Sequence, residues 1–236
     1  MKSLASVMKF IQSLDFDFIE LLSFKERPFR AKFIPAKIWD DLDKYKNDSD
    51  RLKNYFKKWK IRVLYKEQKK EGRFVPVGGE YCPIKNYSEI HIYSNNFNKF
   101  QFTQNSWDRL KYKIIQVAMH ELIHCRQYMG KNEEFEPSTV KFHKTGNSKI
   151  DENRHYHSGR DEIEAYAHCI FLDFKVYKPS FSISDLIRRS KTKRDSGTLA
   201  GILKVFGKDP RNNQALPLLT RKILTWERKY KRAKVS

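Results

Sequence analysis

The sequence predicts an α+β protein in which a small mixed β-sheet is followed by one long helix and then by further helices. Three observations carry this. Ser88-Glu89-Ile90-His91-Ile92-Tyr93-Ser94 alternates polar and apolar side chains, the period-two signature of a half-buried strand. Between Ser106 and Gly130, Ile114, Ile115, Val117, Ala118, Met119, Leu122 and Ile123 supply apolar faces with no internal Pro or Gly, the pattern of a buried helix of about six turns. Beyond it, the segments 158–178, 182–190, 196–206 and 213–231 have helical character, with linkers at 191–197 and 207–213.

In chain order, residues 1–22 read as one or two amphipathic helices covering the core. Lys9, Gln12, Asp15 and Asp17 interrupt the apolar stretch that a signal peptide needs. Residues 28–60 read as helix-rich, with Trp39, Leu42, Tyr45, Leu52, Tyr55 and Phe56 near helical spacing. Segments 61–65 and 74–77 read as strands around a turn at Gly72, and Gly78-Gly79 as the next turn. Ser106 is positioned to cap the long helix and Gly130 to end it. The polar stretch 131–157 reads as a long loop or a lid. Ser158, three residues before Asp161, resembles a capping-box start for a helix running to about Lys178, before Pro179. The expected organisation is a helical lead-in over 1–60, a core over 61–178 and a basic helical region over 179–236.

The long helix carries His120-Glu121-Leu122-Ile123-His124. Positions i and i+4 share a helix face, so both imidazoles can reach one ion, with Glu121 close enough to touch a water on it. This is the spacing of two zinc-ligating histidines and a carboxylate general base. Catalytic zinc commonly takes a third protein ligand. A third His six residues on is excluded, because Gly130 stands there. The next acidic helix start, Asp161-Glu162-Ile163-Glu164-Ala165, offers carboxylates instead. Two helix positions are about 200° apart, so only one of Glu162 and Glu164 can face an ion.

His-Glu-Leu-Ile-His followed by Glu162-Ile-Glu164-Ala-Tyr-Ala resembles the gluzincin-type zinc metallopeptidases. It is most similar to the small ImmA/IrrE-like and phage-borne metallopeptidases, whose second motif reads Glu-x-x-Ala. Residues 105–178 carry the resemblance. It implies a zincin-like fold, Zn2+ as cofactor, His120 and His124 as ligands, Glu121 as base and a peptide substrate. Glu162 is the residue matching the third ligand, with Glu164 and His157 as alternatives. The DNA-associated SprT-like proteases use a third His, the part that His155 or His157 would take. The resemblance also suggests 88–94 as an edge strand aligning an extended substrate. Tyr156 and His157, near the second segment, are candidate hydrogen-bond donors to an oxyanion. Asp161 is a candidate to orient a ligand His. A virion or another large assembly is a further setting it implies, with a non-catalytic binding role as the alternative function. His91 and His143 read as ordinary strand or surface histidines.

Composition bounds the rest. The 236 residues are 39% hydrophobic, with 17 Phe and 12 Tyr, which excludes a disordered chain. Three cysteines cannot build a disulfide framework and point to a reducing, cytoplasmic setting. Cys125 adjoins His124 but projects about 100° away from it, as a small buried hydrophobe would. The net charge is +20, and residues 186–236 hold 15 Lys/Arg against 3 Asp/Glu. A second basic run lies between Lys44 and Lys70. Such charge attracts nucleic acid or acidic partners. Trp226 and Tyr230, four apart among basic residues, either dock an amphipathic helix on the body or stack on bases.

Overall fold

The computed structural model describes residues 4–24, 29–68, 75–129, 139–142, 144–177, 182, 196–206 and 214–233. Among the described residues are nine helices and three strands, in a mixed α+β arrangement. The chain divides into two compact units, Met1–Gly130 and Lys131–Ser236. The first therefore contains both the 1–60 lead-in and the sheet.

In the first unit, α1 (Leu4–Gln12), α2 (Phe18–Leu21), α3 (Pro35–Leu42) and α4 (Ser49–Phe56) precede β1 (Ile61–Lys66), β2 (Val77–Cys82), β3 (Tyr87–Tyr93) and α5 (Gln104–Tyr128). The sheet order is β1-β3-β2. Strand β1 pairs in parallel with β3, Val63 opposite Ile90. Strand β2 pairs antiparallel on the other side, Gly79 opposite Ile90. Ile61, Val63, Ile90 and Ile92 are buried on the sheet. The 88–94 strand is thus present but central, with both edges paired, so it has no free edge for a substrate; β2 is the edge strand packed along α5. The segments on either side of Gly72 do not form a hairpin with each other, and Phe74 and Gly72 lie outside the described residues. Gly78 and Gly79 sit inside β2 rather than in a turn.

Helix α5 spans 25 residues, about seven turns. It begins earlier than the apolar pattern indicates, because Thr103 is its cap: Thr103 Oγ1 accepts the Ser106 N–H at 3.2 Å. The expected stop at Gly130 lies outside the described residues. The first half of α5 is anchored by Lys111, which is 1% exposed. Its Nζ donates to Asp43 at 2.7 Å, lies 3.1 Å from Asp108 and sits 4.2 Å from the Trp39 ring centre. A buried ammonium is tolerated only when paired in this way. Trp107 Nε1 donates to the same Asp43 carboxylate at 2.8 Å. These contacts fix the rotation of α5, and hence the direction in which its later turns face.

In the second unit, α6 (Ser148–His157), α7 (Arg160–Tyr177), α8 (Gly197–Phe206) and α9 (Ala215–Ala233) are described. The last ten residues of the stretch expected to be a loop over 131–157 form α6. Its apolar periodicity is absent, and local polar bonds hold its start. Asn147 Oδ1 caps Ile150 N–H, and the Asp151 carboxylate accepts from Thr145 N, Thr145 Oγ1 and Gly146 N. Those bonds hold Asp151 below the usual carboxylate range. Ser158 closes α6 instead of opening α7: its N–H bonds back to Arg154 O and its Oγ donates to His155 O. Residues 183–190 lie outside the described residues.

Helix α9 buries Ala215, Leu219, Ile223, Trp226 and Tyr230 at spacings of three and four, packing on α7. Trp226 is 1% exposed and its Nε1 donates to Glu164 O; Tyr230 is 3% exposed. Both rings are occupied by the core, which removes them from base stacking and leaves Arg221, Arg228, Lys231 and Arg232 on the wet face. No helix among the described residues is long and apolar enough to cross a membrane.

Candidate metal centre

The two imidazoles of α5 converge. His124 Nε2 lies 3.1 Å from His120 Nε2, with the rings at 77°. Two nitrogens held at about 2.05 Å by one tetrahedral zinc are about 3.3 Å apart, so the pair already has close to the required bite. The tautomer is also set. His124 Nδ1–H donates to Gln127 Oε1 at 2.9 Å, leaving Nε2 with its lone pair toward His120. His124 is 5% exposed and Glu121 3%. A divalent cation suits both the bite and the tautomer.

Glu121 is positioned by a glycine. A Cβ placed on Gly79 of β2 would overlap Glu121 Oε1 and come within 2.5 Å of Val117 Cγ1. Strand and helix approach so closely at this point that only a residue without a side chain fits. Gly79→Ala is expected to displace the Glu121 carboxylate and cost about 1–3 kcal/mol of stability, read as a lower urea midpoint at an unchanged slope.

Cys125 points elsewhere. Its Sγ donates to Asn86 Oδ1 at 3.6 Å, in the turn between β2 and β3, beside the Tyr81 hydroxyl. Burial pushes the thiol up to about 11, so it stays protonated and is a poor metal ligand.

In the second unit, Glu162 lies in the first turn of α7 and Tyr156, His157 and Tyr166 gather near it. Burial, then the Glu162 charge, pushes the Tyr156 hydroxyl well above its ordinary range, so it remains a donor. Burial lowers His157, opposed by Glu162. Its ring is 5.1 Å from both Tyr156 and Tyr166. Glu164 faces away from this group: Lys222 Nζ of α9 donates to its Oε2 at 2.9 Å. Asp161 Oδ1 folds back against Gly159 at the start of α7. His155 stacks edge-on to Phe142 instead, and His143 lies outside the described residues.

Gly79 and Gln127 are the two residues whose roles sequence reasoning missed. Gln127 was legible in principle, since i+3 from His124 is a facing position on a helix. Gly79 was not, because nothing in its neighbourhood marks the approach of a helix 40 residues later in the chain. No family model, curated protein or solved structure matches this chain.

Proposed function

We propose that the protein is a zinc-dependent peptidase, with His120, His124 and Glu162 holding the ion and Glu121 as general base. The observation that carries this reading is the convergence of two imidazole Nε2 atoms at 3.1 Å, with the His124 tautomer set by Gln127, on the helix that also carries the buried Glu121. Glu162 is preferred to Glu164 because Lys222 engages Glu164, and because Glu162 keeps the Glu-x-x-Ala spacing. His157 stays as the alternative donor, beside Glu162.

Zinc held by these residues would supply a water of lowered pKa and polarise the scissile carbonyl. Glu121 would accept a proton from the attacking water and deliver it to the leaving amine as the C–N bond breaks. Tyr156, whose hydroxyl stays protonated, is the proposed hydrogen-bond donor for the oxyanion, with His157 as a second. Edge strand β2 is the proposed rail for an extended substrate. The reducing setting suggested by three free cysteines is consistent with a cytoplasmic enzyme.

After dialysis against metal-free buffer, the purified chain should retain about one zinc, lost in His120→Ala. Elemental analysis checks this, and a wild-type chain that holds no metal rejects the reading. A second reading, a non-catalytic protein docked on nucleic acid or an acidic assembly, is favoured by the wet basic face of α9.

A further inference from the structure

A second cluster of metal-ligating side chains lies in the first unit, on the face of the sheet opposite Gly79. Glu80 of β2 stands directly opposite Glu89 of β3, and His91 follows Glu89 by two, so all three side chains project from one face. Their ligand atoms lie within 4.8 Å of one another, and His91 Nε2 is 2.9 Å from Glu89 Oε2. His91 is 6% exposed and therefore fixed, whereas Glu80 is exposed and able to swing.

Charge makes the cluster unusual. Like charges directly opposed across two strands are destabilising. In a chain of net charge +20, a Lys or Arg partner for each would be expected. Among the described residues neither carboxylate has one. Arg62, the neighbour of Glu89 on β1, instead places its guanidinium 3.9 Å over the Tyr87 ring. Opposite His91 stands Gly78, where an added Cβ would meet only Tyr93, at 3.7 Å. The strand therefore leaves space beside the imidazole for a cation and its water.

We infer that Glu80, Glu89 and His91 form a second divalent-cation site that ties edge strand β2 to β3. One imidazole with two carboxylates suits a first-row transition ion such as Zn2+ better than Mg2+ or Ca2+. Donors at about 2.1 Å from a common ion are at most about 4.2 Å apart, so rotation of Glu80 closes the site. The bound cation cancels the Glu80–Glu89 repulsion and steadies the strand whose Gly79 seats Glu121. The site uses none of the residues of the proposed peptidase centre.

Equilibrium dialysis of the full chain at about 10 µM free Zn2+ tests this. Wild type should bind two equivalents, Glu80→Gln one and H120A/H124A one. Because Glu80 is exposed, its variant keeps the fold and the tight zinc. Addition of Zn2+ should raise the thermal midpoint of H120A/H124A by a few degrees, and that of H120A/H124A/E80Q not at all. One equivalent in both wild type and Glu80→Gln overturns the second site and leaves the peptidase centre standing. One equivalent in wild type that survives H120A/H124A but not Glu80→Gln supports it and instead removes metal from the α5 histidines.

Discussion

Glu121→Gln is expected to reduce peptide hydrolysis by about 10²–10⁴-fold while zinc content and thermal midpoint stay at wild-type values. The substitution keeps shape and burial. The amide fills the same space beside Gly79. It removes one property, the ability to accept a proton from water. A side chain needed only for packing would tolerate the change. A residue needed only to hold metal would show its loss in zinc content. Cleavage of denatured casein, followed by release of new amino termini, separates these outcomes. Cleavage at the wild-type rate by a zinc-loaded Glu121→Gln chain removes Glu121 from the chemistry. It then favours the non-catalytic reading drawn from the basic face of α9.

The motif residues of α5 were legible because a helix turns fixed sequence spacing into fixed geometry. His120 and His124 had to share a face once the apolar run established a helix, and the 3.1 Å approach follows from that. Strand β3 was legible from its alternation for the same reason. Its place in the sheet was not, because order depends on which partners it finds. Ser88–Ser94 is central since β1 returns in parallel on one side and β2 antiparallel on the other, and no local pattern encodes that choice. Helix α6 escaped detection because Asn147 and Asp151 hold its start through backbone bonds while its apolar face is nearly absent. Gly78-Gly79 resembled punctuation because glycine pairs usually are. In this chain the missing side chain of Gly79 makes room for Glu121, a reason visible only in three dimensions. The competition between Glu162 and Glu164 turned on Lys222, 58 residues away from Glu164 and beyond any local pattern.

Acidification below about pH 6.5 is expected to destabilise the second unit. His168 is fully buried on α7, with Nε2 sharing a 2.6 Å hydrogen bond with the Tyr230 hydroxyl and its ring 4.7 Å from Trp226. Burial, with a smaller contribution from the Lys229 charge, lowers its pKa to about 3. The folded imidazole is therefore neutral, whereas an unfolded one takes up a proton below about 6.5. The unfolded state binds more protons throughout the interval between these values. The stability tied to neutral His168 is thus intact above about pH 6.5 and is lost progressively as pH falls toward 3. The slope approaches about 1.4 kcal/mol per pH unit. Between pH 6.5 and 4.5 the loss should reach roughly 2–3 kcal/mol, which lowers the urea midpoint markedly. His157, also lowered by burial, adds to the effect with the same sign. Urea melts at stepped pH, followed by far-UV circular dichroism, read the slope. His168→Gln should be less stable at pH 7.5 yet lose much less on acidification, because its side chain does not titrate. An NMR titration of the imidazole protons makes the claim local. A His168 resonance that titrates near 6.5 in the folded chain would contradict it.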